Sequence, residues 1–221
     1  MLNPYDWQEA MNNRIAYIIN RIEKGAPVLA VSINAGILMF TYRRQSPKIF
    51  EIYDKLAFAG LGQQSDIESI RVMAVEFAHR EGFTRSEQDV TVQRVVTAVS
   101  GPVKKSFADF SYAPTLALSM FAELGSTPEQ DCYYVVDFDG DYHLHKNSLV
   151  LSGRSEVGKP LHEVIGPKTT VEKAVKDLQA LWLDIASIQG EEEVNIEGMT
   201  PEVLLMERNS PRENVFREIP I

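Results

Sequence analysis

The strand-like segments of this 221-residue chain occur in groups and do not alternate with helices. Two apolar runs at residues 27–33 and 37–42 are separated only by Asn34-Ala35-Gly36, a spacing typical of a β-hairpin. Two more short strands are predicted at residues 48–52 and 55–59. This grouping favours an α+β fold with mainly antiparallel sheet over a doubly wound parallel fold.

The helical segments are grouped in the same way. Apolar residues at helical spacing predict a helix over residues 4–24 and two consecutive helices over 63–80 and 86–107, with Ser86 as an N-cap. A capping box at residues 169–172 (TTVE) predicts a last helix that continues to about Ile185. The remaining strands are predicted at 115–123, 132–138, 142–152 (around a possible break), 194–197, 203–207 and 215–219. Since no linker or repeat interrupts this order, residues 1–221 are predicted to form a single domain.

Charge and composition exclude several classes of protein. The 31 acidic residues outnumber the 22 basic ones, so a groove that follows nucleic-acid phosphates is not expected. No apolar run approaches the ~20 residues that span a bilayer, and the N-terminus is too polar for a signal peptide. The single cysteine, Cys132, excludes a disulfide framework. These features predict a cytoplasmic protein that binds neither nucleic acid nor membrane.

Two motifs resemble ligand sites, but each lacks a residue that the ligand requires. Residues 153–159 (GRSEVGK) fit the start of a phosphate-binding loop, but Pro160 stands where a magnesium-binding hydroxyl is needed. Residues 137–141 (DFDGD) suggest a calcium loop, but its glycine is fourth instead of sixth. We interpret the first as a turn and the second as a hairpin turn centred on Asp139-Gly140.

Three further groups have structural explanations. His143 and His145 are two apart on a predicted strand and would need a third ligand to bind a metal. Cys132 in its predicted strand is more typical of a buried structural thiol than of a nucleophile. Helix capping explains Thr169-Thr170 without catalysis. No metal or cofactor is therefore expected.

Residues 27–71 carry a resemblance to a known family. An antiparallel hairpin (PVLAVSINAGILMFTYRR) is followed by a strand of the form K-I-x-x-I-x-D and by a turn into a helix (SPKIFEIYDKLAFAGLGQQSDIESIR). This order is similar to that of subunits of the 20S proteasome core particle, and most of all to bacterial α-type subunits. Further likeness is carried by residues 8–11 (QEAM), 81–83 (EGF), 85–90 (RSEQDV) and 202–219 (EVLLMERNSPRENVFREI).

The resemblance implies a four-layer αββα sandwich of two antiparallel sheets, the fold of N-terminal-nucleophile hydrolases. Catalytic β subunits of this family expose an N-terminal threonine immediately before the first strand. Here that place is held by residues 23–27 (EKGAP), which offer no hydroxyl or thiol nucleophile. Tyr42 matches the position of a carboxylate that β subunits use. The resemblance therefore implies a subunit without catalytic residues.

For α subunits the resemblance implies a homo-oligomeric, heptameric ring that caps a ring of β subunits. Residues 1–24 would supply a gate segment and a helix, with the first ten residues restricting substrate entry. Lys48 and Gly62 would form an activator-binding site for the C-terminus of an ATPase regulator, Lys48 by pairing with its terminal carboxylate. Without the resemblance, Lys48 is better explained as a solvated lysine at the end of a strand.

Two other functions remain open at this point. The chain could be an active amidohydrolase of the same fold that uses an internal Ser or Thr after processing. It could also be a ring-forming scaffold that has no protease partner. Intact mass and reaction with a threonine-directed inhibitor distinguish the first of these from a non-catalytic subunit.

Overall fold

A computed structural model describes residues 4–154, 160–188 and 196–221. The helices are α1 (Pro4–Ile22), α2 (Gln64–Thr84), α3 (Val92–Ala108), α4 (Leu161–Val164) and α5 (Val171–Ile188). The strands are β1 (Val28–Ile33), β2 (Gly36–Arg43), β3 (Ile49–Tyr53), β4 (Leu56–Gly62), β5 (Ala117–Glu123), β6 (Cys132–Val136), β7 (Tyr142–His145), β8 (Ser148–Leu151), β9 (Thr200–Glu207) and β10 (Phe216–Glu218).

The strands form two antiparallel sheets of five. The first sheet has the order β10-β9-β2-β1-β8, and the second has the order β3-β4-β5-β6-β7. The predicted hairpin is present, with Ile33 paired with Gly36 across the two-residue turn. Gly36 has a φ of 149°, and a Cβ there would lie 1.8 Å from the carbonyl oxygen of Met206 on β9. Glycine is therefore needed where β2 approaches its other neighbour.

Three apolar clusters define four layers. One lies between the second sheet and helices α2 and α3, a second lies between the two sheets, and a third lies between the first sheet and helices α4 and α5. Because both faces of each sheet are covered, β1 is buried at every residue instead of at every second one. The αββα sandwich predicted from the sequence resemblance is confirmed.

Helix α1 has a different position from the other helices. Its Ile18 and Ile22 are buried in the cluster between the two sheets, so the helix closes one end of that layer. Arg14 fixes the helix to the C-terminal end of α3, where its guanidinium donates to the carbonyl oxygens of Ser106 at 2.9 Å and Asp109 at 3.0 Å. It also lies 4.9 Å from the ring centroid of Phe110.

A buried ion pair joins the sheets at the opposite end. Arg208 directly follows β9 and donates two 2.8 Å bonds to the Asp131 carboxylate, which precedes β6. The Asp131 side chain is fully buried, and that of Arg208 is 6% exposed. Arg208 also donates to the carbonyl oxygen of Ile33 at 3.2 Å, and Gly125 N–H donates to Asp131 at 2.8 Å. The pair thus ties the β1–β2 hairpin and β9 to the β5–β6 connection.

Several predicted boundaries were wrong. Ser86 caps a single 3₁₀ turn, Glu87–Asp89, and α3 begins only at Val92, whose N–H donates to the Glu123 carboxylate at 2.9 Å. The possible break within residues 142–152 is confirmed: β7 and β8 lie in different sheets, and Asn147 between them adopts a φ of 68°.

The structure also differs from further predictions near the C-terminus. Helix α5 is capped by Thr170, whose hydroxyl accepts from Lys173 N–H at 3.4 Å, and it begins at Val171, two residues after the predicted cap at Thr169. Of the predicted strand 194–197, residues 194 and 195 lie outside the described residues, while Ile196 and Glu197 are in a loop and turn. Strand β10 covers Phe216–Glu218 and is therefore shorter than the predicted strand at 215–219.

We expect Asp131→Ala to lower the free energy of unfolding by about 3–5 kcal/mol, because it leaves a buried guanidinium without its carboxylate. Arg212→Ala is the matched control, since Arg212 pairs with Glu207 on the surface, with 47% of its side chain exposed, and such pairs contribute only ~0–1 kcal/mol. Urea denaturation of both variants measures the difference. Equal, small losses for the two variants would show that the pair does not hold the sheets together.

Candidate functional site

The segment between α1 and β1 lies at the closed end of the sandwich, in the place where the resemblance puts a nucleophile in catalytic subunits. It consists of residues 23–27 (EKGAP), which include no serine, threonine or cysteine. The Pro27 carbonyl oxygen accepts from the Thr41 hydroxyl at 2.7 Å and from the Trp182 indole at 2.8 Å. The Ala26 carbonyl oxygen accepts from the Lys48 ammonium. Both carbonyl groups are therefore held by neighbouring elements.

Tyr42 occupies the position that the resemblance assigns to a carboxylate in catalytic subunits. Its side chain is buried, and its ring lies 4.8 Å from that of Trp182 on α5 in an edge-to-face arrangement. The Tyr42 hydroxyl accepts a 2.7 Å bond from the Gln179 amide. Tyr42 thus joins β2 to α5, a packing role that offers no charge to a nucleophile.

Lys48 lies immediately before β3 and is anchored by both its backbone and its side chain. Its N–H faces the Glu202 carboxylate at 3.0 Å and 3.2 Å, and its carbonyl oxygen accepts from Gly60 N–H at 3.1 Å. Burial lowers the pKa of the Lys48 ammonium to about 8, and the nearby negative charge of Glu202 limits that fall. The Lys48 side chain is therefore partly buried, and it differs from the solvated lysine at a strand end that was the other explanation of its position.

Gly62 ends β4 and is exposed. Its φ is 134°, and a Cβ there would lie 2.1 Å from the Leu116 carbonyl oxygen, so this site requires glycine for the backbone alone. Lys48 is opposite Gly60 in the pairing of β3 with β4, and Gly62 is two residues further along, ~7 Å in the strand direction. The two predicted site residues are thus at the same end of the second sheet.

Glu202 and Thr41 were missed by the sequence analysis. Glu202 is a charged residue near the start of β9, and its carboxylate also accepts from Ile49 N–H at 3.1 Å and lies 3.7 Å from Arg43. Burial raises its pKa, against the lowering effect of the two backbone N–H donors and Arg43. A carboxylate directly before the apolar residues 203–206 of β9 was the signal that could have indicated it.

The other motifs do not join this site. Among the described residues, no group of three or more His, Cys, Asp or Glu side chains is arranged to hold a metal ion. His143 and His145 are on the exposed edge strand β7, and residues 137–141 form the predicted tight turn, in which Gly140 N–H donates to the Asp137 carbonyl oxygen at 3.0 Å.

Cys132 and the glycine-rich motif have equally ordinary surroundings. Burial, followed by the nearby Glu123 carboxylate, raises the pKa of the Cys132 thiol to about 11, which disfavours the reactive thiolate. In the motif at 153–159, Gly153 packs against the backbone of Ile22 and Glu23 at the end of α1. Residues 155–159 of that motif lie outside the described residues. Among the residues that the structure describes, no helix is long and apolar enough to cross a membrane.

Two antiparallel five-stranded sheets between helical layers, with α1 closing the space in front of β1, define an α+β sandwich of the N-terminal-nucleophile hydrolase type. No model of a known protein family matches the chain. The proteasome subunit alpha of Xylanimonas cellulosilytica is 29% identical over 220 residues, which cover 96% of this chain and 89% of that protein. The proteasome subunit alpha of Thermobifida fusca is 28% identical over 215 residues, covering 96% and 84%. The chain is thus similar in sequence to bacterial proteasome alpha subunits over nearly its whole length, and this confirms the resemblance seen in its sequence.

We expect Lys48 to titrate near pH 8 in the folded chain, instead of near the ~10.4 of a solvated lysine. Lysine ¹³Cε NMR measures this, and Lys48→Met identifies the resonance. Because the unfolded chain keeps this proton up to pH ~10.4, the stability of the wild type should rise with pH between about 8 and that value, relative to Lys48→Met. A titration at the ordinary value would show that the ammonium is solvated.

Proposed function

We propose that this chain is a non-catalytic subunit of the α ring of a proteasome-like particle that degrades proteins in the cytoplasm. It forms a homo-oligomeric, heptameric ring that stacks on a ring of β subunits. The ring restricts substrate entry through its N-terminal residues and docks the C-terminus of an ATPase regulator.

One observation carries the non-catalytic part of this proposal. Helix α1 places Ile18 and Ile22 between the two sheets, directly before the residues where catalytic subunits would begin. Removing that helix to expose a new N-terminus would uncover the apolar layer that these side chains close. The residues that follow, Gly25 to Pro27, would still provide no nucleophile.

The gate proposal is supported by the position of α1. The helix begins at Pro4, and Trp7 in its second turn packs edge-to-face on Phe110 with ring centroids 5.0 Å apart. Most of the N-terminal segment is therefore fixed to the body of the subunit. We propose that the first ten residues restrict entry from this position; residues 1–3 among them lie outside the described residues.

The docking proposal is supported by the Lys48 ammonium. It has three N–H donors, of which one is used by Ala26, so two remain for a terminal carboxylate. A charge-assisted bond in partly buried surroundings is stronger than one in water. Gly62 lies at the same end of the sheet, and its backbone is exposed there because glycine has no side chain.

We expect a stacked particle when the chain is co-expressed with a proteasome β subunit, with peptide hydrolysis that is lost when the β N-terminal threonine is replaced by alanine. Electron microscopy and a fluorogenic peptide assay measure these outcomes. The intact mass of this chain should show no adduct of a threonine-directed inhibitor. In the same particle, deletion of residues 1–3 should speed hydrolysis without changing the melting temperature.

The alternatives give different results in this experiment. Hydrolysis by the chain alone, abolished by one internal Ser or Thr substitution, would establish an active amidohydrolase. Rings that form but never bind a β subunit would establish a scaffold. An unchanged rate after deletion of residues 1–3 would contradict the gate alone.

We expect Lys48→Ala to weaken binding of a synthetic octapeptide with a free C-terminal carboxylate by about 10- to 100-fold, the loss of one hydrogen bond to a charged group. The same peptide with a C-terminal amide should bind both proteins equally weakly. Fluorescence anisotropy with assembled rings measures both affinities. Lys55→Ala is the matched control, because Lys55 is an exposed lysine in the neighbouring β3–β4 turn. If Lys48→Ala disrupts the ring but leaves binding intact, Lys48 has a structural role only.

A further inference from the structure

The Glu202 carboxylate reaches from one sheet to the other. Glu202 is on β9 of the first sheet, and it accepts hydrogen bonds from the N–H groups of Lys48 and Ile49 where β3 of the second sheet begins, at 3.0 Å and 3.1 Å. Its partner in the pairing of β9 with β2 is Thr41. A partly buried carboxylate that spans two sheets is costly unless its oxygens are bonded, and here both oxygens accept from backbone N–H groups.

This contact fixes the residue from which the Lys48 ammonium extends. The N–H of Lys48 is held by Glu202, and its carbonyl oxygen is held by Gly60. With both backbone groups bonded, the Cα of Lys48 has a fixed position on the edge of the second sheet. A carboxylate ligand then meets an ammonium whose position is largely set before binding, and this lowers the entropy lost on binding.

We infer that Glu202 is the positioning residue for Lys48 in carboxylate recognition, an inference that rests on the docking function proposed above. Glu202 does not touch the ligand. It holds the backbone of Lys48 and supplies the negative charge beside its ammonium. Sequence reasoning could not connect the two residues, which are 154 positions apart.

The charged groups around Lys48 and Glu202 determine the direction in which the pKa of Lys48, and with it the pH dependence of carboxylate binding, should change. Glu202 of β9 and, beyond it, Arg43 of β2 are the charged groups that face this site among the described residues. The negative charge of Glu202 raises the pKa of Lys48 against the larger effect of burial. Removal of that charge therefore lowers the pKa of Lys48 further, so that the ammonium, and with it carboxylate binding, is lost at a lower pH.

The experiment compares Glu202→Gln with Glu207→Gln in the full-length chain. Glu207 is on the same strand but pairs with Arg212 and Arg217 and has no described contact with Lys48. Two quantities are measured for each protein: the ¹³Cε titration of Lys48, and the affinity of assembled rings for the octapeptide carboxylate and its amide between pH 6 and pH 9. A third variant, Glu202→Asp, keeps the charge but shortens the side chain.

We expect Glu202→Gln to lower the pKa of Lys48 below its wild-type value. It should weaken carboxylate binding about tenfold at pH 7, because a smaller fraction of Lys48 is protonated and the Lys48 backbone is held by a weaker acceptor. As the pH is raised, Glu202→Gln should lose carboxylate binding at a lower pH than the wild type does. Glu207→Gln should behave like the wild type. Glu202→Asp should bind the carboxylate more weakly than the wild type, but it should lose this binding at the same pH. If Glu202→Gln does not fold, Glu202→Asp alone tests the positioning role through its affinity.

Failure of this inference differs from failure of the docking proposal. If the wild type prefers the carboxylate to the amide and Glu202→Gln shows the same preference and pH limit, Glu202 has no positioning role and docking stands. If the wild type shows no preference for the carboxylate, docking is wrong, and the role of Glu202 in it is wrong as well.

Discussion

The apolar layer between the two sheets is the contact on which the rest of the structure depends. Each sheet buries one face against the other and the opposite face against helices, so that neither sheet is stable without its neighbour. Such a layer has open ends, and the chain closes them by different means. At one end Ile18 and Ile22 of α1 fill the opening with apolar surface, and at the other the buried Arg208–Asp131 pair joins the sheets through hydrogen bonds.

The end of the apolar layer that α1 closes determines which groups lie at the candidate site. Ile18 and Ile22 at the end of α1 are buried between the sheets just before this position. Ala26 is partly buried and Pro27 is buried, so their backbone carbonyl groups need donors. Thr41, Trp182 and Lys48 supply them. Lys48 thus takes part in fixing the α1–β1 connection.

Much of this architecture could be predicted from local patterns. Continuous apolar runs indicated β1 and β2, helical spacing indicated α1, α2 and α5, and Asp139-Gly140 indicated a tight turn. The errors fell where a distant residue determines the local structure. Helix α3 begins at Val92 and not near Ser86, because Glu123 of β5 caps it. The sequence indicates a possible break within residues 142–152, but no apolar pattern there shows that the chain changes sheets at Asn147.

The sequence by itself determined that the chain is an α+β protein similar to proteasome subunits, that no nucleophile directly precedes β1, and that a lysine stands before β3. These are properties of short segments, in which the spacing and chemistry of neighbouring residues are sufficient. Only the tertiary structure decided how Lys48 is held. Its partner Glu202 arrives on β9, which pairs with β2 although about 160 residues separate the two strands. Such contacts depend on which strands become neighbours in a sheet, and strand order follows from the packing of the whole chain and not from any local segment.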